Sequence, residues 1–144
     1  MRVLVQRSGK SSVEVDKKTT GKIENGLVLL VGFTEGDTKE KIEYLAKKVV
    51  NLRIFDDENG VMNKSILEVG GSILSISQFT LYADTAKGNR PSYINAMGGE
   101  KATKLYDEFN EELRKYCEVE TGIFGADMLV SITNMGPVTI LLER

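Results

Sequence analysis

The sequence predicts a single α+β domain, with a mixed and largely antiparallel sheet curling toward a barrel and two amphipathic helices. Three observations predict it. Short period-two segments occupy both ends of the chain, and two stretches between them repeat at helical spacing. The length, 144 residues, suits one domain that buries roughly 70% of its extended surface. No repeat, low-complexity tract or linker divides residues 1–144.

The elements follow in order. Val3 and Val5 alternate with polar neighbours, as do Val13 and Val15, which gives two half-buried strands. Thr19 to Ile23 reads as a third. Asn25-Gly26 is a turn signal before the continuous apolar run Leu27 to Phe33, expected in the core. Asp37 with Glu40 has the spacing of a capping box, and Ile42, Leu45, Ala46, Val49 and Val50 then share one helical face. The acidic run Asp56 to Gly60 reads as a solvated hairpin turn, its glycine being out of step with a calcium loop. Ile73 to Phe79 reads as another buried strand. After a polar loop, Ala102, Leu105, Tyr106, Phe109 and Leu113 mark the second helix, ending near Tyr116. Strands around Glu118–Thr121, Met128–Thr133 and Val138–Leu142 complete the chain.

Composition removes whole classes of chemistry. There is no histidine and one cysteine, Cys117, so Ser-His-Asp and Cys-His mechanisms and the ordinary zinc sites are excluded. No metal and no cofactor are expected, and no Walker or dinucleotide fingerprint occurs. A net charge of −2 argues against a surface coated for indiscriminate nucleic-acid binding. Local basic groups remain: Lys47, Lys48 and Arg53; Lys87 and Arg90; Lys101 and Lys104. Each reads equally as an ordinary solvated face. No apolar run approaches the ~18 residues of a membrane helix and no leader pattern opens the chain, so a cytoplasmic protein with no membrane partner is expected.

Two segments stand out. In Ser77-Gln78-Phe79-Thr80 hydroxyl and amide groups cluster where a buried strand surfaces, offering N–H groups and short polar side chains to a substrate carbonyl. Such clusters are more often turn and capping groups. In Asn134-Met135-Gly136-Pro137-Val138-Thr139 a proline follows a glycine inside strand-forming sequence. Proline cannot donate to a sheet ladder, so the residues alone read as a trans turn opening the last strand; a cis bond, found in about 5–6% of X-Pro peptides, is the alternative.

Together the two segments resemble the signatures of the D-aminoacyl-tRNA deacylase family, an SQFT segment and a C-terminal NxGPVT segment. The likeness runs along essentially the whole chain, through Val3 to Arg7, Asn51 to Phe55, Lys87 to Ser92 and Thr121 to Met128. Ala83 stands where glycine is expected, Met135 fills a position often held by aspartate, and residues Ser8 to Ser11 look shifted. The resemblance implies hydrolysis of the ester of D-aminoacyl-tRNA, with glycyl-tRNA, including glycine mischarged on alanine tRNA, as a further substrate. It places the tRNA 3′ end near Gln78, Phe79 and Thr80. Thr80 positions rather than attacks, because no general base is evident to activate it; water or the terminal ribose 2′-OH attacks. It further implies that Gly136-Pro137, as a Gly-cis-Pro pair from one subunit, enters the pocket of its partner and rejects L substrates, which requires a homodimer with the active site at the subunit interface. Ser77 and Ala96 line that pocket, and Arg7, Phe124 and Met128 pack around or brace it. A non-catalytic RNA- or small-ligand-binding module on the same fold and a general esterase are the competing readings.

Overall fold

A computed structural model describes residues 1–144. Its elements are β1 (Arg2–Ser8), β2 (Ser11–Val15), β3 (Lys18–Ile23), β4 (Gly26–Gly32), α1 (Lys39–Val50), β5 (Phe55–Asp56), β6 (Met62–Lys64), α2 (Ile66–Val69), β7 (Ser72–Ser77), α3 (Gly99–Arg114), β8 (Val119–Thr121), β9 (Leu129–Ser131) and β10 (Asn134–Glu143). A 3-10 turn, Phe79–Tyr82, follows β7.

The main sheet has the order β10-β1-β4-β7-β8, with β1 antiparallel to both neighbours and β4, β7 and β8 mutually parallel along the chain of pairs. A smaller antiparallel sheet, β3-β2-β9, covers one face, and β5-β6 is a hairpin. Alternation along β4 explains the layering. Leu27, Leu29 and Val31 join the large core with Val3, Val5, Ile42, Leu45, Phe109 and Leu113 from β1, α1 and α3. Val28 points the other way, to Val13, Ile23, Leu74 and Ile76 between the two sheets. A strand buried on both faces has no reason to alternate in polarity, which is why Leu27 to Val31 is continuously apolar.

The α+β class and the two amphipathic helices stand as expected, but the sheet does not close into a barrel. Strand β8 is three residues long, and after it the chain crosses to pair β9 with β2 in the smaller sheet instead of reaching β10. Closure would need that pairing. A third, one-turn helix, α2, also appears, and here the capping box is complete: Ser65 Oγ accepts from the Glu68 N–H while the Glu68 carboxylate accepts from the Ser65 N–H.

The capping box expected at Asp37 and Glu40 is absent. Thr38 is the N-cap of α1 and makes no side-chain cap bond. Asp37 is otherwise engaged: fully buried, its carboxylate accepts from the Met1 ammonium at 2.5 Å, the Thr34 N–H at 2.8 Å and Lys41 Nζ at 3.2 Å. A distant charge outbids a local cap, because a buried ammonium without a counter-ion is far more costly than an unsatisfied helix N–H. Burial pushes the Met1 ammonium below its ordinary pKa while Asp37 pulls it back up.

Asp37→Asn should therefore destabilise the fold by about 3–5 kcal/mol, the cost of leaving one buried charge unpaired. Urea unfolding measures it, and a loss below about 1 kcal/mol would show the pair to be screened like a surface one.

Candidate active site

Strand β7 ends at Ser77, two residues earlier than its apolar pattern indicates. The Gln78 N–H still bonds the Val31 carbonyl at 2.7 Å, and the backbone then leaves the sheet in the 3-10 turn. Phe79, expected at the end of the buried strand, is 52% exposed. The turn lies directly on Gly32, where a Cβ would sit 2.9 Å from the Gln78 carbonyl oxygen and 3.3 Å from the Tyr82 ring. Gln78 Nε2 donates to Thr80 Oγ1 at 2.5 Å, which leaves the threonine proton free to donate elsewhere. As the opening residues of the turn, Phe79 and Thr80 have no carbonyl partner within it for their N–H groups.

A cavity of about 280 Å³ opens beside this turn. Val31, Phe33 and Ile76 supply apolar walls, Ser77, Gln78 and Phe79 one polar edge, and Phe124 to Met128, from the loop after β8, the opposite edge. Phe124 is held against Tyr106 with ring centroids 5.7 Å apart. The Tyr106 hydroxyl donates to the Ser75 carbonyl at 2.7 Å, and burial pushes its pKa up, so it stays a donor. Asp127 is the only charged lining residue. No cluster of three or more carboxylate or thiol groups is assembled to hold a metal.

Five residues singled out from the sequence, Ser77, Gln78, Phe79, Phe124 and Met128, thus line one cavity, and Thr80 is tied to it through Gln78. Ala96 does not line it. Its neighbour Met97 does, drawn in by the bond from its N–H to the Phe33 carbonyl at 2.8 Å. Met97 is a lining residue that sequence reasoning passed over altogether; Gly32 lies within the run Leu27 to Phe33, and Gly125, Ala126 and Asp127 within Thr121 to Met128, but none was singled out for the site.

Arg7, Gly136 and Pro137 lie elsewhere in the same chain. The Gly136-Pro137 peptide is cis and sits inside β10 rather than opening it as a trans turn. Around it, the pairing of β10 with β1 breaks register between Gln6 and Ser8. The segment is bracketed. Asn134 Oδ1 accepts from the Val138 N–H at 3.1 Å, and its Nδ2 donates to Thr139 Oγ1 at 2.9 Å. Arg7 Nε donates to the Met135 carbonyl at 3.1 Å, while Nη1 reaches the Ile54 carbonyl at 2.9 Å and Asp56 Oδ1 at 3.0 Å. Gly136 takes φ +118°, and a Cβ there would lie 2.9 Å from Arg7 Nη2, so only glycine fits.

The registers fix how far apart the two segments are. Ser77 stands beside Val31, whereas Arg7 stands beside Leu27, four residues back along β4, and β10 lies three strands from β7. At ordinary strand rise and spacing the separation is roughly 20 Å. The exposed Gly136 and Pro137 do not reach their own chain's cavity.

The family model described as D-Tyr-tRNA(Tyr) deacylase matches residues 4–143. A D-aminoacyl-tRNA deacylase of Clostridium novyi is 57% identical over 144 residues, covering 99% of this chain and 97% of the relative. One of Thermosipho africanus is 55% identical with the same coverage. Among solved structures, one named c-Myc DNA Unwinding Element Binding Protein superposes with a TM-score of 0.94 at 40% identity, covering 100% of this chain and 99% of its own. A probable eukaryotic D-amino acid tRNA deacylase shares the fold, with a TM-score of 0.84 at 18% identity, covering 98% of this chain and 97% of its own. The chain whose Ser77–Thr80 turn borders a cavity and whose Asn134–Thr139 segment presents Gly136-Pro137 at a sheet edge belongs to the D-Tyr-tRNA(Tyr) deacylase family.

Proposed function

We propose that the chain hydrolyses D-aminoacyl-tRNA to free D-amino acid and tRNA in the cytoplasm, at sites each assembled from two copies of itself. The observation that carries this is the Ser77–Thr80 turn at the cavity edge, in a chain 57% identical to D-aminoacyl-tRNA deacylases. An aminoacyl ester is activated, so placement and an oxyanion site suffice without histidine. The Phe79 and Thr80 N–H groups are the donors for that oxyanion. Gln78 holds the Thr80 hydroxyl, whose free proton positions the ester or the attacking oxygen, which is water or the terminal ribose 2′-OH.

Handedness is read at the α-carbon by Gly136-Pro137 of the second copy. Its carbonyls take the α-ammonium, and its backbone blocks an L side chain. Achiral glycine has nothing to block, so glycyl-tRNA, including glycine on alanine tRNA, also passes. Two features support supply in trans: the roughly 20 Å between the segments within one chain, and the exposure of β10, a ten-residue edge strand bearing the exposed Met135 and Leu141.

A second reading, nucleic-acid binding without hydrolysis, is favoured by the 40% identical structure, whose name is that of a DNA-binding protein. Incubation with D-Tyr-tRNA and L-Tyr-tRNA decides. A deacylase releases D-tyrosine and spares the L ester, and a binder releases neither.

Assembly in trans is tested with two crippled variants. Phe79→Pro deletes one oxyanion donor at a turn position that accepts proline, and Gly136→Ala forces the clash with Arg7. Refolded together in equal amounts they should recover about one quarter of wild-type activity, since half the dimers are mixed and each has one intact site. Recovery of none would place both segments in one chain's site. Thr80→Ala should lower kcat about tenfold, the worth of one hydrogen bond, whereas complete loss with binding retained would identify a nucleophile. Gly32→Ala should lower kcat at least tenfold by displacing the turn, with wild-type rates arguing that the turn position is uncritical.

A further inference from the structure

We propose that the tip of the β2–β3 hairpin, Lys17 and Lys18, is the arm that receives the RNA backbone of the substrate where it leaves the cavity, each lysine facing a phosphate of the acceptor end. This rests on the deacylase reading above. It does not depend on which part of the 3′ end the cavity takes.

The cavity has one walled flank and one open one. Beside the 3-10 turn Tyr93 stands edge to face on Phe79 with centroids 5.0 Å apart, and the Asp84 and Ser92 main chains pair at 2.8 and 2.9 Å, so the loop they close walls that side. On the opposite edge Asp127 and Met128 line the cavity and also a second recess of about 330 Å³, which runs on to Glu14, Asp16 and Lys17. That recess leads to the hairpin.

Register sets the two lysines at its end. Val130, which lines the cavity, pairs with Val13, and Leu129 pairs with Glu14; the next residue of β2, Val15, pairs with Lys18. By alternation Lys18 shares the face of Val13 and Val130, and it stands two strands, roughly 10 Å, from the start of β9. Asp16 and Lys17 form the turn with φ of 49° and 64°. Two-residue hairpin turns with positive φ at both positions favour glycine at the second, so a lysine is held there at a conformational cost that a glycine would avoid. Both side chains are exposed and neither reaches a carboxylate, whereas Lys39, Lys101, Lys104 and Lys115 are all ion-paired. In a chain of net charge −2 such free cations are where a polyanion gains attraction. Glu14, Asp16 and Asp127 repel phosphate from the floor of the recess. The backbone therefore crosses at the rim, over Lys17 and Lys18.

The experiment measures kcat/KM on D-Tyr-tRNA across about 50–200 mM salt, the range over which phosphate contacts are lost, with the D-tyrosyl ester of adenosine, which has no RNA backbone, alongside. The test variant combines Lys17→Gly with Lys18→Thr. Glycine suits the positive φ and threonine suits a strand, so the charges go while the hairpin stays. It should slow D-Tyr-tRNA cleavage about tenfold at the lowest salt and flatten the slope of log kcat/KM against log salt by about 1.5, the loss of two phosphate contacts. The adenosine ester should be cleaved at the wild-type rate. Lys17→Arg with Lys18→Arg should keep both rate and slope, since the charge is kept. Lys47→Ala with Lys48→Ala, in the last turn of α1, should change neither. An unchanged slope in the Gly/Thr variant, equal slowing of both esters, or an equal fall in slope for the α1 pair would overturn the arm while the deacylase reading stands. Failure of the wild-type protein to cleave D-Tyr-tRNA would overturn that reading as well.

Discussion

The parallel pairing of β4 with β7 is the constraint on which the site depends. It sets Ser77 beside Val31 and lets the Gln78 N–H make the last ladder bond, so that the chain must leave the sheet at that point, over Gly32. The same β4 pairs antiparallel with β1 on its other side, which carries Arg7, and with it β10, to the opposite end. One strand, buried on both faces and unable to slip without exposing Leu27, Leu29 and Val31, therefore fixes the cavity and the distance to Gly136-Pro137 together. The functional geometry is a matter of register before it is one of side-chain chemistry.

A chain without histidine must obtain hydrolysis from position and dipoles. The cavity supplies largely apolar walls, and the turn supplies N–H groups that its own short hydrogen-bond ladder cannot use. Ser65 satisfies such donors at the start of α2, whereas Thr38 at α1 and Gly98 at α3 make no side-chain cap bond. At the turn the preceding residue is Gln78, whose side chain goes to Thr80 and makes no cap bond. Local under-satisfaction is costly to a fold and useful to a developing oxyanion, the role proposed for the Phe79 and Thr80 N–H groups.

Much of this was legible in the sequence because it is periodic. Alternation at Val3 and Val5, the continuous run from Leu27, and the helical faces of α1 and α3 all report burial directly. What escaped depends on partners far away in the chain. Asp37 and Glu40 have the spacing of a cap, but the Met1 ammonium claims the carboxylate. Phe79 reads as the end of a buried strand, yet the chain leaves the sheet over Gly32 before reaching it. Closure of a barrel was excluded by the shortness of β8 and the crossing of β9 to β2, neither of which hydrophobicity encodes. Likewise the Met97 N–H, bonded to Phe33, decides which of two adjacent residues faces the cavity. The motif residues Ser77, Gln78, Phe79 and Thr80 were found by likeness, and their chemistry became readable only with the turn in view.

Chiral selection sets the sternest energetic demand on the proposed mechanism. An apolar pocket distinguishes ligands differing by one methylene by only about 1–3 kcal/mol, and a pocket that accepts many D side chains cannot use even that. Rejection must come from a backbone wall, and a wall rejects only up to the energy needed to displace it. In the proposed mechanism the bracing of Gly136-Pro137 is thus a specificity term in its own right. Asn134 ties the main chain at Val138 and the side chain at Thr139, and Arg7 holds the Met135 carbonyl while anchored to Ile54 and Asp56. Bonds from a charged guanidinium are worth roughly 1.5–3 kcal/mol each. Few other devices would stiffen an exposed edge strand enough to reject a substrate, so the proposed mechanism gives an arginine on β1, and the Asp56 end of the hairpin it is anchored to, a part in selection.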